Sequence, residues 1–403
     1  MVKALRGMKD IFDIDSIKFN YFIENSSKIA KKYGFGYIET PIAEETALFK
    51  RSVGESSDIV NKEMYQFIDK GGNDICLRPE GTAGVVRSFI ENKFDKAGGV
   101  YRFYYHGQMF RYERPQKGRF RQFHQFGCES FGISDVYEDA LIIMMIKDIF
   151  DFFGIKHTIK LNSLGCSACM PTFKNALIEF LDEKKETLCE DCNNRIKTNP
   201  IRVLDCKISE CKEIVKNSPK MRENLCSSCD EDFTKLLNIL DENRIKYEID
   251  LNLVRGLDYY TKSAFEFVSD EIGSQSSIAG GGRYDKLVEF LGGKSTPAVG
   301  FAIGVERVLE LIKMNSNEQD SIYIGCLDEK YLPKIFTLAK KLRQNSTVFV
   351  EYKAKNLKNH LKGADKLNAR YCYVLGENEI EQNSIWMKDL VLKNEQLISL
   401  GGF

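Results

Sequence analysis

A chain of 403 residues is too long for one ordinary domain and implies two or three. Its 58 basic and 58 acidic side chains cancel, which excludes a global polyanion-binding surface, so any nucleotide or nucleic acid must be gripped by local clusters. The N-terminal MVKALRGMKDIF lacks the apolar stretch of a secretory signal. The most apolar helical stretch, near 139–153, is interrupted by Lys147, Asp148 and Asp151, so no membrane span and a cytoplasmic location are expected. In that compartment the 12 cysteines are expected as thiols or metal ligands rather than disulfides.

Residues 16–33 carry Ile17, Phe19, Tyr21, Phe22 and Ile29 at helical spacing, and Gly34 and Gly36 end that helix. Tyr37 and Ile38 open a strand that stops before Pro41. A strand ending in CLRPEGT (76–82) leads into a helix over about 83–93. Two antiparallel strands, 101–113 and 119–131, are joined by a turn at 114–118, and Arg111, Arg114, Lys117, Arg119 and Arg121 crowd around that turn. A helix over 135–153 and a strand over 157–162 follow. Residues 163–232 break into short, charged, cysteine-rich pieces and read as an inserted module. Strand-rich text returns over 248–268, followed by a glycine cluster, GGGR (280–283), read as a loop. Residues 295–314 read as loop, strand and helix. SNEQD (316–320) is a polar linker. Beyond it IYIGC, a helix over 330–343, TVFVEY, a helix over 356–368 and RYCYVLG alternate as βαβαβ, and IWMKDLVL adds a strand. That pattern predicts a small α/β domain with a mostly parallel sheet, whose slight excess of lysine and arginine permits RNA contact without requiring it.

Alternation along the two strands around 114–118 sorts their side chains by face. Arg119, Arg121, Phe123, Gln125, Gly127, Glu129 and Phe131 share one face, and Tyr105, Gly107, Met109, Arg111 and Glu113 join them if the turn closes as expected. The face then runs from arginines through an aromatic ring and an amide to a carboxylate. It suits a ligand with an anionic end, a flat ring and a hydrogen-bonding end, because arginine forks match phosphate oxygens. Gly107 and Gly127 are read as leaving room for a ligand. The alternative is a solvated hairpin with a basic tip. Three further clusters support the ligand reading. Glu80 and Thr82 in LRPEGT offer a carboxylate and a hydroxyl to an amine. LVRGLDYYT (253–261) sets Arg255, Tyr259 and Tyr260 around an Arg-Gly turn, and GFAIGVERV (300–308) sets Arg307 in the first turn of a helix.

Together these segments closely resemble the histidyl-tRNA synthetases, a class II aminoacyl-tRNA synthetase family, over nearly the whole chain. FRYERPQKGRFRQFHQFGCE (110–129) resembles the family's motif 2, PAVGFAIGVERV (297–308) its motif 3, and LVRGLDYYT with AGGGRYD (279–285) its two histidine-specific signatures. The region before Pro41 is placed like the degenerate motif 1. The resemblance implies an α+β fold, with a class II antiparallel catalytic sheet flanked by helices. It also implies an inserted module, a C-terminal α/β anticodon-binding domain and a homodimer built partly through motif 1. Domain bounds of 1–162 and 233–315 for the catalytic part, 163–232 for the insertion and 321–403 for the anticodon-binding part are expected. The implied reaction activates histidine with ATP and Mg2+ to histidyl-adenylate, then esterifies the 3′ end of histidine tRNA. By resemblance Arg111 and Arg255 flank the α-phosphate as fixed cations. Phe123 and Arg307 sandwich the adenine, Arg119 and Arg121 serve the phosphates, and Glu80, Thr82 and Gln125 bind the α-amino group. Glu129 accepts from the imidazole N–H and Tyr260 donates to its other nitrogen, with Tyr259 and GGGR closing the pocket.

Eight cysteines lie between 166 and 229, as CSAC, CEDC, the wider pair Cys206 and Cys211, and CSSC. Cys166, Cys169, Cys189, Cys192, Cys206, Cys211, Cys226 and Cys229 supply enough thiolates for two all-cysteine tetrahedral zinc sites, structural because all four ligands close each site; the alternative is reduced thiols in a helical module. Cys76, Cys128, Cys326 and Cys372 sit in strand contexts and are expected in the core. The main rival function is a histidine-sensing regulatory subunit of an ATP phosphoribosyltransferase. That family usually lacks the C-terminal domain and loses catalytic residues, whereas Arg111, Arg255, Arg307 and a complete βαβ unit are present here. A synthetase for proline or threonine conflicts with LVRGLDYYT and Glu129.

Overall fold

The computed structural model describes residues 2–54, 57, 59–206, 208–313 and 321–402. The linker at 316–320 lies outside the described residues. The chain divides into two compact units, 1–313 and 314–403.

The strands of the first unit, in chain order, are β1 (Gly36–Tyr37), β2 (Ala43–Glu45), β3 (Tyr65–Ile68), β4 (Asp74–Leu77), β5 (Tyr101–Phe110), β6 (Gln122–Phe131), β7 (Thr158–Ser163), β8 (Glu248–Ile249), β9 (Thr261–Val268), β10 (Ser277–Arg283) and β11 (Ala298–Gly304). Eight of them form one sheet in the order β1-β5-β6-β11-β10-β9-β7-β8, and β2-β4-β3 form a small separate one. The six central strands are antiparallel; only the short edge strands β1 and β8 pair in parallel, with β5 and β7. The helices Asp13–Lys32 and Tyr137–Phe152 pack on each other and bury Phe22, Ile142, Ile146, Ile149 and Phe150.

The β5–β6 hairpin has the register that alternation around 114–118 implies: Tyr101 faces Phe131, Gly107 faces Gln125 and Phe110 faces Gln122. Beyond Gln122 the Arg111 N–H still donates across the hairpin to the Arg121 carbonyl at 2.9 Å, while the Arg121 and Gln122 N–H groups donate to the carbonyl of Gly7. Two sequence expectations change. Within 248–268 only β8 and β9 are extended, and the segment carrying LVRGLDYY is a loop. The GGGR cluster is not a loop but the end of β10. A Cβ on Gly281 would run into the Gly300 carbonyl of β11, and one on Gly280 into the Arg255 guanidinium, so bare backbone is needed for neighbours to pack.

Arg283, at the end of that cluster, is fully buried and ion-paired with fully buried Asp139 on the Tyr137–Phe152 helix. Ser263 donates to the same carboxylate, and Asp285 accepts from Arg283 Nη1 at 3.2 Å. Arg283→Leu is expected to cost about 3–5 kcal/mol of stability, because it strands a buried carboxylate. Urea unfolding measures this; a loss under about 1 kcal/mol would show that the pair is not holding helix to sheet.

The insertion holds helices Met170–Asp182, Glu190–Thr198 and Ser209–Lys216. The next helix, Ser227–Glu242, runs unbroken past residue 232 and packs against the Tyr137–Phe152 helix, so a border at 232/233 falls inside it.

The second unit has strands β12 (Ser321–Cys326), β13 (Thr347–Val350), β14 (Tyr371–Leu375), β15 (Ser384–Asp389) and β16 (Glu395–Ser399), in the order β13-β12-β14-β15-β16. Its main helices are Leu332–Leu342 and Leu357–Lys366. The β13-β12-β14 pairings are parallel and the β14-β15-β16 pairings antiparallel, so the sheet is mixed rather than mostly parallel. The sequence pattern missed β16, an edge strand whose side chains are mostly exposed and carry no apolar alternation. Among the described residues no helix is long and apolar enough to cross a membrane. Cys76, Cys128, Cys326 and Cys372 are buried in strands, as expected.

Candidate active site

A cleft of the first unit is lined from β6, β10 and β11, from the loop between β5 and β6, from the start of helix Thr82–Glu91, from the loop before β9 and from the start of helix Val305–Leu311. Of the residues singled out in the sequence, Glu80, Thr82, Arg111, Arg119, Phe123, Gln125, Arg255, Tyr259, Tyr260 and Arg307 line it. Two do not. The Arg121 guanidinium lies 3.8 Å from the centre of the Tyr112 ring, and its Nε donates to the Glu113 carbonyl at 3.2 Å. The Arg121 N–H donates to the N-terminal segment at Gly7 instead of back across the hairpin to Arg111, although its carbonyl still accepts from the Arg111 N–H. Glu129 lies below the lining and is fully buried.

One end of the cleft is cationic. Arg111 Nε donates to the Pro79 carbonyl at 2.9 Å, and its guanidinium lies 5.3 Å from the centre of the Phe123 ring. Arg119 pairs with Glu113 at 2.7 Å. Arg307 Nε donates to the Gly118 carbonyl at 3.0 Å and Nη1 to the Ser277 carbonyl at 2.6 Å, which ties the loop to β10. Burial, then the neighbouring Arg119 and Arg111, hold Arg307 below its ordinary pKa. Arg255 rests on Gly280 and reaches Glu266 at 3.5 Å, while its Nε is buried without a protein partner. Like charges held together in a partly desolvated cleft favour a polyanion, since Coulomb repulsion among them falls when an anion sits between.

The other end is built from carboxyl, amide and hydroxyl groups. Glu80 accepts from the Thr82 and Ala83 N–H groups at 2.7 and 2.8 Å, at the mouth of the helix. Burial raises its carboxyl above the ordinary range against those bonds. Gln125 Oε1 accepts from the Gly81 N–H at 3.2 Å. Glu129 Oε1 accepts from the Thr82 hydroxyl at 2.7 Å and the Tyr105 hydroxyl at 3.3 Å, and Oε2 from the Tyr284 hydroxyl. Burial pushes the Glu129 carboxyl up to about 8, even against those hydrogen bonds. The Tyr259 ring packs 4.7 Å from that of Tyr260, and its hydroxyl is buried without a protein partner.

Tyr105 and Tyr284 both hydrogen-bond Glu129, contacts that the sequence reading did not assign, although it placed Tyr105 on the face of Glu129. Tyr284 lies inside AGGGRYD, but only the end of β10 aims it at Glu129. Gly107 and Gly127 do not hold open space for a ligand. Arg78 fills the room beside Gly107 and Tyr105 fills that beside Gly127. Arg78 in turn donates to the Gln108 and Thr40 carbonyls at 2.9 and 2.8 Å, so it braces the turn that carries Glu80.

Gly280→Ala tests how closely Arg255 is positioned. The added Cβ displaces a flexible guanidinium rather than backbone, so stability should change little. A displacement near 1 Å is expected to lower turnover by about 10²-fold. Unchanged turnover with a folded protein would mean that the Arg255 position is not critical.

The insertion cysteines gather into two quartets, Cys166, Cys169, Cys226 with Cys229, and Cys189, Cys192, Cys206 with Cys211; within each, the Sγ atoms lie within 4.8 Å of one another.

Comparison with known proteins finds matches of three kinds. A family model described as histidyl-tRNA synthetase matches residues 7–308, and an anticodon binding domain model matches 312–402. A curated relative from Sulfurimonas denitrificans, named Histidine--tRNA ligase, is 61% identical over 398 residues, covering 99% of each chain. Another of that name, from Campylobacter fetus subsp. fetus, is 59% identical over 402 residues, covering 99% of this chain and 98% of the relative. The crystal structure of the apo S. aureus histidyl-tRNA synthetase superposes with a TM-score of 0.81 at 33% identity, covering 100% of this chain and 98% of that one.

Proposed function

Because the chain belongs to the histidyl-tRNA synthetase family, we propose that the arginine end of its cleft holds ATP and the Glu80–Glu129 end holds histidine. The activity is histidine–tRNA ligation, in which histidine is activated with ATP and transferred to the 3′ end of its tRNA. In the first step the histidine carboxylate oxygen bonds the α-phosphorus as the bond to the β-phosphate oxygen breaks, giving histidyl-adenylate and pyrophosphate. In the second, a terminal ribose hydroxyl takes the acyl group and AMP leaves.

The observation that carries the assignment is one cleft lined by four arginines, Arg111, Arg119, Arg255 and Arg307, together with the carboxyl, amide and hydroxyl groups of Glu80, Gln125, Thr82, Tyr259 and Tyr260. Arg111 and Arg255 act as fixed cations beside the α-phosphate, where charge redistributes in the transition state. Phe123 offers a ring face to the adenine opposite Arg307, and Arg119 serves the phosphates. Arg121 is left out of this set because it stacks on Tyr112. Glu80, Thr82 and Gln125 take the α-amino group, with the unpartnered Tyr259 hydroxyl beside them. Glu129 meets three protein hydroxyls, and a carboxylate has about four lone-pair sites, so capacity remains for one imidazole N–H. Tyr260 donates to the other imidazole nitrogen. Mg2+ travels with the triphosphate, needing few protein ligands; Glu113 and Glu306 are the carboxylates lining the cleft beside the arginines that would hold it.

The second unit contributes tRNA anticodon binding, a reading supported by its family match. A homodimer is supported by the exposed apolar side chains of Tyr37, Ile42, Phe67 and Ile68 on or beside the small strands β1, β2 and β3. A cytoplasmic site of action is supported by twelve cysteines of which none is in a disulfide.

ATP–pyrophosphate exchange with Mg2+ and each of the twenty amino acids, without tRNA, tests the reading. Exchange with histidine alone supports it. Histidine binding without exchange would instead favour a histidine-sensing regulatory subunit.

A further inference from the structure

We propose that the insertion carries two structural zinc ions in nested thiolate sites, one at its neck held by Cys166, Cys169, Cys226 and Cys229, and one further out held by Cys189, Cys192, Cys206 and Cys211. This inference does not depend on the residue roles assigned in the cleft.

The spacing of the sulfurs is the first argument. Cys166 Sγ lies 3.7 Å from Cys169 Sγ and 3.9 Å from Cys226 Sγ, and Cys189 Sγ lies 3.9 Å from Cys206 Sγ. Four sulfurs at the usual Zn–S length of about 2.3 Å around a tetrahedral ion stand about 3.8 Å apart. Disulfides require about 2.05 Å, and all twelve cysteines are free.

Backbone donors supply the second argument. The Cys226 N–H points at Cys169 Sγ at 3.2 Å, the Cys189 N–H at Cys211 Sγ at 3.4 Å and the Cys192 N–H at Cys189 Sγ at 3.4 Å. Such N–H···S contacts stabilise thiolates and orient them on a metal. Binding converts four thiols and Zn2+ into a dianionic tetrathiolate and releases four protons, with no change of oxidation state. Four soft ligands leave no open position, so each ion is structural.

The module also needs such a staple. Its first three helices have 13, 9 and 8 residues. Its buried core interleaves Cys169, Cys192, Cys206, Cys211 and Cys229 with a limited set of apolar side chains such as Phe173, Leu177 and Val203. Modules of this size seldom bury enough apolar surface to hold together without a metal or disulfides.

The nesting gives the neck site a distinct job. The first C-x-x-C joins the last, so one ion clasps both ends of the insertion while the other lies within it. Gly165, just before Cys166, has φ +65°, and a Cβ there would stand 2.7 Å from the Cys169 Cβ. Its carbonyl accepts from the Lys262 N–H at 2.7 Å, and the Leu164 N–H donates to the Lys262 carbonyl at 2.6 Å. Lys262 lies two residues after Tyr260, so the neck clasp abuts the strand that leads out of the cleft loop.

The test is metal content of tag-free protein purified without added metal or chelator. Two zinc ions per chain, with X-ray absorption showing four sulfurs at about 2.3 Å, are expected. Less than about 0.2 zinc per chain with all eight thiols open to alkylation would overturn the proposal, as would stoichiometric iron in its place. Quadruple Cys→Ser replacement at 166, 169, 226 and 229 should leave one zinc per chain. The same at 189, 192, 206 and 211 should leave the other. If the sites were sequential rather than nested, each quadruple variant would lose both ions. Should a variant fail to fold, the wild-type zinc count and sulfur shell still decide whether the ions are present.

Discussion

Arg255→Ala is expected to lower single-turnover adenylate formation by about 10³-fold or more while leaving ATP binding within about tenfold. Arg255 stands in the loop before β9, held over the bare backbone of Gly280, with one weak carboxylate contact to Glu266 at 3.5 Å. Its Nε is buried and meets no protein acceptor, a state that costs free energy unless a ligand oxygen completes it. A cation so placed stabilises charge that develops on a phosphoryl oxygen more than it stabilises bound ATP, so its loss appears in the chemical step. Glu266 is about a quarter exposed, so water reaches the carboxylate left behind, and the loss of a contact as long as 3.5 Å should lower stability only modestly. Arg255→Lys should recover part of the rate, since it restores the charge but not the fork. Rapid-quench measurement of adenylate decides the matter: an unchanged single-turnover rate would remove Arg255 from the chemistry.

Glu129→Gln is expected to lower kcat/KM for histidine by about 10³–10⁴-fold, with ATP dependence much less affected. The side chain has the right size, but an amide offers one oxygen where the pocket presents donors on both sides. The hydroxyls of Thr82, Tyr105 and Tyr284 already meet the carboxyl, so Glu129→Ala would strand them and cost stability as well; glutamine separates the two effects. Near-normal use of histidine by the Gln variant would sink the specificity assignment.

The same substitution carries a pH signature. The folded carboxyl titrates at about 8, against 4.5 for the ordinary group. Between those values the folded state holds a proton that the unfolded state has released, so stability falls as pH rises. The contribution is fully present below about 4.5 and gone above about 8. Thermal midpoints of the empty wild-type protein should therefore fall across that window relative to Glu129→Gln, which has no proton to lose. Parallel pH profiles would show that the carboxyl is not protonated in the empty pocket.

Much of this site is legible in the chain alone. The β5–β6 register follows from period-two alternation and a Pro/Gly-containing turn, and it puts Phe123, Gln125 and Glu129 on one face with Tyr105 and Arg111. Arg307 follows from a strand, a Gly-Val turn and a helix in immediate succession. Cysteine spacing marks the insertion residues that could serve as metal ligands. These readings rest on neighbours within a turn or a strand, where backbone geometry alone decides direction.

What the sequence could not determine depends on segments distant along the chain. The N-terminal segment at Gly7 turns Arg121 out of the cleft, Arg78 and Tyr105 occupy the spaces beside Gly107 and Gly127, and Tyr284 reaches Glu129 from 155 residues away. The grouping of the cysteines is of the same kind: composition and spacing allow several sets of four, and Cys166 meets Cys226 across 60 residues only because the insertion folds back on its own neck. Local pattern therefore determined the elements, their faces and the chemistry of the candidate groups. Tertiary packing decided which of those groups meet, because burial and close contact between remote segments leave no periodic trace in the chain.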